Sequence, residues 1–354
     1  MLNTVKKGNV TKWLRNGLLF AALIALTFWV FFRDQDMGEL LHIIEEADIW
    51  YVVAGLAAML LYFLLGSVNV WSLLRALGES VSLPQTLRYT MVEYFFSGIT
   101  PAASGGQPME IYFMSREGVS GAKATIALLI QLCGFQISTI SYGLVCAILQ
   151  PGMLTGWLFW LFLVGLTINI GALSVMLIGL FSQKLSAKLV ALFMRLLTLL
   201  HVKDVEKRRR SAEESLANYH ESAAYIKAHK LLFVRSILIV FVQVMFFHLV
   251  AYFVYRAFGL TAYGVVPIFM MQAVLYTTVS SIPLPGAMGV SEAVFLGIYG
   301  GVYGSDRLLH SAMLLYRGIN FYFYMLVGLT AMLYTAFRYR KRENRLPQTR
   351  DGSR

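Results

Sequence analysis

Apolar residues run along this chain in blocks too long for a soluble core. Six stretches, roughly 16–32, 49–74, 122–149, 154–181, 231–258 and 308–337, read as membrane-spanning helices. A hydrocarbon layer of ~30 Å takes about 20 helical residues, so the first is short and the other five are long enough to tilt. Two further apolar stretches, 86–113 and 263–303, carry glycine and proline in their middles. Between the fourth and fifth spans, the 182–230 loop has leucines at 185, 189, 192, 196 and 200, with Lys184, Lys188 and Arg195 nearby. That three-and-four spacing predicts a basic amphipathic helix lying at the headgroups.

The two interrupted stretches resemble each other. Residues 94–110 read YFFSGITPAASGGQPME and residues 276–292 read YTTVSSIPLPGAMGVSE. An offset of 182 pairs Tyr94 with Tyr276, Pro101 with Pro283 and Glu110 with Glu292. Proline removes a backbone donor and breaks the helical ladder, and glycine permits close approach and positive φ. Backbone freed in this way cannot face lipid and must line protein or a wet cavity. Polar side chains sit beside the breaks: Gln107, Glu110, Glu292 and, in the last span, Arg317. Ionisable groups at membrane depth are functional candidates, the alternative being a Glu–Arg pair that staples two halves together. Glu93 is read as reaching the interface, His248 as a packed histidine, and Asn69, Gln131 and Gln136 as interhelical hydrogen-bonding groups. The many Phe, Tyr and Trp residues are read as interfacial belt and packing.

Charge supplies the topology. The N-terminal tail carries Lys6, Lys7, Lys12 and Arg15, the long loop carries Lys207–Arg210, and the end of the chain carries Arg338, Arg340, Lys341, Arg342 and Arg345. The stretch 33–48 is acidic, with Asp34, Asp36, Glu39, Glu45, Glu46 and Asp48. Basic segments stay cytoplasmic, which puts both termini and the 182–230 loop inside. The first break then starts and ends inside and the second outside. The expected fold is an all-α polytopic membrane protein with about six full spans plus two re-entrant hairpins related as an inverted repeat. Eight or more full spans satisfy the same charge pattern. The expected organisation is one membrane domain over 1–340 and a basic cytoplasmic tail over 341–354.

Composition agrees and narrows the function. Of 354 residues, 58% are hydrophobic and 14% charged, and mean hydropathy is +0.64. No block of ~100 residues has the composition of a soluble catalytic domain. The net charge of +11 lies at the ends of apolar segments and not on a solvated face, so nucleic-acid binding is not expected. The N-terminal run has a charged region and an apolar core, but Arg33-Asp34-Gln35-Asp36 follows where a cleavage site would stand, so it reads as an uncleaved first helix. Cys133 and Cys146, thirteen residues apart in one helix, lie about 20 Å from each other and are not expected to pair. The sequence contains no phosphate-binding loop, zinc-protease motif, Cys/His cluster or G-x-S-x-G, so neither a cofactor nor a metal is expected.

TPAASGGQPMEIYFMSREGVS and PLPGAMGVSEA, each ahead of a spanning helix, resemble the flippase-like transmembrane family related to the membrane domain of bacterial lysyl-phosphatidylglycerol synthetase/flippase proteins. The resemblance covers about residues 10–340. Its core is Thr100, Pro101, Gly105, Gly106, Gln107 and Pro108 in the first block, and Pro283, Pro285, Gly286, Gly289 and Glu292 in the second. It implies a multi-pass protein of the bacterial cytoplasmic membrane that moves a phospholipid or lipid-linked headgroup between leaflets. After Arg338 a short basic tail follows, so the stand-alone form without lipid synthase activity is expected. The expected site joins Pro101, Gly105, Gly106, Gln107, Glu110, Pro283, Pro285, Gly286, Gly289, Glu292 and Arg317. Glu110 and Glu292 would hold a cationic headgroup and Arg317 the phosphate. A membrane-embedded enzyme or accessory subunit acting on a lipid-linked precursor, a regulatory partner recruited through the basic loop, and a small-solute transporter remain open, as do homo-oligomerisation and a lipid-modifying enzyme as partner.

Overall fold

The computed structural model of the protein describes residues 36–182 apart from Ala102, residue 224, and residues 228–343. The expected first span, most of the 182–230 loop and the tail beyond Glu343 lie outside the described residues. The described residues form helices joined by turns, with no strand among them. In order it forms α1 (Met37–Glu45), α2 (Ile49–Ala76), α3 (Leu83–Ile99), α4 (Gly106–Arg116), α5 (Gly121–Leu149), α6 (Trp157–Phe181), α7 (Lys230–Ala257), α8 (Val265–Val279), α9 (Val290–Tyr299), α10 (Asp306–Arg317), a π-helical segment (Gly318–Phe323) and α11 (Tyr324–Glu343). Five helical rods among these residues are long and apolar enough to cross a membrane: α2, α5, α6, α7 and the α10–π–α11 rod. This is an all-α polytopic membrane protein.

The polar residues between apolar blocks explain where helices begin. Asp36 starts α1 by accepting the N–H groups of Gly38 and Glu39, and Asp48 starts α2 by accepting that of Trp50 at 2.9 Å. Ser82 starts α3, with Gln85 Oε1 accepting the Ser82 N–H at 2.9 Å. The acidic 33–48 stretch thus contains a short helix, α1. It buries Leu40 against α10 and is tied there by an Arg307–Glu39 ion pair of 2.5 Å.

Small residues let the rods approach. A side-chain carbon at Gly165 of α6 would stand 2.6 Å from the Thr278 carbonyl oxygen of α8, and one at Gly134 of α5 would touch Val240 of α7. Buried amides link four helices. Asn69 (α2) donates to Gln131 (α5), Gln131 donates to Gln243 (α7) at 3.1 Å, and Gln243 donates to the Tyr94 hydroxyl (α3) at 3.0 Å. His248 lies among Tyr142, Phe247, Phe269 and Tyr276, with ring centroids 5.3–5.8 Å away. Cys133 and Cys146 are buried free thiols. A buried pair the sequence reading did not single out, Arg88 with Glu117 at 2.6 Å, ties α3 to the end of α4.

Both interrupted stretches are two helices joined by a turn. The first is α3–turn–α4 and the second α8–turn–α9. Each of these four helices has 17 residues or fewer, short of the ~20 that a full crossing takes.

Candidate functional site

The first turn is held by Thr100. Its hydroxyl donates to the Phe96 carbonyl oxygen at 2.6 Å and accepts the Gly105 N–H at 2.9 Å. Ala103 inside the turn takes φ of 55°, the left-handed region that costs a non-glycine residue about 1–2 kcal/mol. Glu93, buried on α3, accepts from the Ser97 hydroxyl at 2.6 Å and from Gln107 Nε2 of α4 at 3.2 Å. Gly106 permits that approach, since a side-chain carbon there would run into Ser97 and Glu93. Glu110 is buried one helical turn further along α4 and accepts from the Thr90 hydroxyl at 3.3 Å. Among the described residues, neither carboxyl has a basic partner.

The second turn frees the last carbonyls of α8. Asn169 of α6 reaches across, its Nδ2 3.2 Å from the Thr277 carbonyl oxygen and 3.0 Å from the Ser280 hydroxyl. Gly286, Ala287 and Gly289 all take positive φ, at 58°, 50° and 82°. Glu292, three residues into the helical sequence after Gly289, turns back on the start of α9. Its Oε2 accepts the Gly289 N–H at 2.7 Å and the Ser291 hydroxyl at 2.9 Å. Its Oε1 lies 2.8 Å from Arg317 Nε, a charge pair whose N–H is not aligned for a straight hydrogen bond. Arg317 Nη2 donates to the Gly286 carbonyl oxygen at 3.3 Å, and the guanidinium stacks 4.4 Å above the Phe321 ring. Glu292 and Arg317 are 5% and 9% exposed, so their charges compensate each other inside the protein.

The turns meet. Pro101 and Pro285 face each other across an isolated antiparallel backbone bridge. Neither has an N–H to give to the other. The two turns also share local features: Ala103 and Ala287 are both left-handed, and Gly105 and Gly289 both cap the helix that follows, each pair 184 apart. The sequence offset of 182 matches Pro101 with Pro283 instead, a comparison of the two stretches and not a contact between them.

A cavity of about 170 Å³ opens beside this junction. One water takes roughly 10–15 Å³ of such space, so it admits a polar group larger than a water. The first interrupted stretch contributes Ser97 and Gly98 of α3 and Ala103 of its turn to the wall, and the second contributes six residues between Ile282 and Glu292. Arg317 and Asn320 of the last span complete the polar side, with four tyrosines around them: Tyr62, Tyr276, Tyr316 and Tyr324.

A family model described as the lysylphosphatidylglycerol synthase TM region matches residues 17–328, which takes in both turns and Arg317. The chain belongs to the lysylphosphatidylglycerol synthase TM-region family. No curated protein matches it significantly.

In this member of the family the expected site residues divide into two groups. Gly286, Glu292 and Arg317 stand on the cavity wall. Pro285 and Pro101 form the bridge beside it, Pro283 lies between the wall residues Ile282 and Leu284, and Gly289 caps α9. Gly105 caps α4, while Gly106, Gln107 and Glu110 gather around Glu93 and Thr90 behind the first turn. Glu110 and Glu292, expected to act on one ligand, therefore serve different clusters. Missed by sequence reasoning were Ser97, Asn320 and the cavity tyrosines. Ser97 carried a signal, being a hydroxyl four residues after Glu93 on one helix face. The tyrosines carried none, because interfacial and cavity tyrosines are alike in sequence.

Proposed function

We propose that the protein moves a phospholipid headgroup between the two leaflets of a cell membrane, through the cavity beside the bridged turns. The observation that carries this reading is one cavity walled by both interrupted stretches and by a buried arginine. An isolated ion carried bare into hydrocarbon costs tens of kcal/mol by Born estimates. A wall of hydroxyls, amide groups and a guanidinium replaces the lost hydration, while acyl chains stay in lipid between the rods. Arg317 binds the phosphate. It keeps N–H donors beyond those spent on Glu292 and Gly286, since a guanidinium carries five. Glu292 is the counter-charge that holds Arg317 in position, a different role from the cation-binding one expected from sequence.

The two turns act as re-entrant hairpins from opposite faces, an inverted repeat in which alternate opening exposes the cavity to either side. Both termini and the 182–230 loop are cytoplasmic in this reading, as the basic residues require. The family description, naming a membrane region of a phospholipid synthase, supports a phospholipid as cargo.

The test is reconstitution of the purified chain into liposomes holding fluorescent phospholipids. Inner-leaflet probe is followed by its loss to dithionite, and total lipid is analysed by mass spectrometry. Loss of the protected half without new lipid species is the expected result. A new lipid species would favour the membrane-embedded enzyme, and intact protection with unchanged lipid would favour a solute transporter.

A further inference from the structure

The last span leaves α-helical geometry at the cavity. α10 ends at Arg317, six residues from Gly318 to Phe323 are π-helical, and α11 resumes at Tyr324. A π-turn adds a residue to the turn and re-aims the side chains after it, and such turns are frequent at functional sites. Here the segment leaves Tyr316, Arg317, Asn320, Phe321 and Tyr324 all on the cavity wall.

Asn320 is 9% exposed, and its Oδ1 has no hydrogen-bond donor among the described residues. A buried amide oxygen without a donor is costly, and it persists where something else supplies the hydrogen. No neighbouring donor is aligned on it in the structure: the Tyr316 hydroxyl accepts from Gln272 Nε2 at 2.5 Å, and Arg317 is turned towards Glu292, the Gly286 carbonyl and the Phe321 ring. The carboxylate of Glu292 is meanwhile filled by Arg317, the Gly289 N–H and the Ser291 hydroxyl. The wall therefore offers a cationic donor in Arg317 and, three residues further along the last span, an unpaired neutral acceptor in the Asn320 amide.

We propose that Asn320 selects the headgroup: its Oδ1 accepts a hydrogen bond from an N–H or O–H that the headgroup carries beside its phosphate. The inference rests on the headgroup reading of the cavity. An ethanolamine ammonium or a glycerol hydroxyl satisfies Oδ1. A choline headgroup has neither donor and leaves it unpaired. An opposing preference is built into the same wall, because aromatic rings attract quaternary ammonium. The headgroup ratio decides which effect governs.

The purified full chain, stripped of lipid and offered equal mixtures with identical acyl chains, is assayed for retained lipid by native mass spectrometry. Phosphatidylethanolamine and phosphatidylglycerol are each set against phosphatidylcholine, which separates an ammonium donor from a hydroxyl. The expected wild-type preference is about tenfold against choline, the equivalent of about 1.4 kcal/mol. Asn320→Leu and Asn320→Ala, checked for folding by thermal unfolding, bring the ratio to near one. Asn320→Asp keeps the preference and tilts it towards ethanolamine over glycerol. Equal retention by the wild type, a choline preference, or an unchanged ratio in folded Asn320→Leu overturns the role of Asn320 and leaves the headgroup reading standing. Retention of no lipid at all overturns both. A ratio that collapses in Asn320→Leu, in a protein that moves no lipid, upholds recognition and rejects translocation.

Discussion

Replacing Glu292 by glutamine separates the two jobs that the cavity combines, holding a buried arginine and presenting it to a ligand. The side chain keeps its shape and can still accept the Gly289 N–H, so the capping of α9 survives. What disappears is the charge 2.8 Å from Arg317 Nε. At that distance the attraction is about 6 kcal/mol at an effective dielectric constant of ~20. Part of it is offset by the desolvation of both groups. Breaking one partner of a buried pair costs ~3–5 kcal/mol, because the remaining charge stays buried and uncompensated. A kcal/mol moves the unfolding midpoint by roughly 2–4 °C in domains of 150–250 residues and by less in larger ones, so a fall of about 5–10 °C is expected. The assay is thermal unfolding in detergent, run as a double-mutant cycle with Arg317→Met. The double variant, with no charge left to bury, should return most of the lost stability. A midpoint for Glu292→Gln within 1 °C of wild type would refute the reasoning, as would a double variant less stable than either single one.

Three other outcomes follow from the packing. Ala103→Gly and Ala287→Gly should each raise stability by ~0.5 kcal/mol, against the usual trend, because relief of left-handed strain outweighs the added chain entropy; a lowered midpoint would show that the turns are not strained. Gly165→Ala should cost ~1–3 kcal/mol, since its new carbon would stand 2.6 Å and 2.7 Å from two α8 carbonyl oxygens and the backbones must part. Gln243→Leu leaves a Gln131 donor and the Tyr94 hydroxyl without their partner, at ~1–3 kcal/mol for each group stranded, and denaturant unfolding would read the loss.

The spans were legible because lipid imposes a plain rule on composition. The expected 49–74, 122–149 and 231–258 correspond to α2, α5 and α7 within two residues at each end. The breaks were legible too, since Pro101, Gly105, Pro285 and Gly289 each do something backbone-specific that few other residues can. The contact between them was not, because nothing in the sequence says that Pro285 rather than Pro283 comes to face Pro101. Glu93 was read as reaching the interface. It is buried because Ser97 and Gln107, distant from each other in sequence, supply its donors once α4 folds back on α3. The π-turn at Gly318–Phe323 has no sequence signature of its own, and without it Asn320 has no reason to stand out.

The central claim is that Arg317 works on a headgroup and is not only one half of a staple. The most direct measurement compares wild type with the Glu292→Gln/Arg317→Met double variant in the liposome assay, at protein loads matched by folded fraction. A variant of near-native stability that loses at least ~90% of translocation is the expected result, because removing a buried cation from a phosphate forfeits a charge-assisted hydrogen bond of about 1.5–3 kcal/mol. Translocation at the wild-type rate in that folded variant would contradict it and leave Glu292 and Arg317 a purely structural pair.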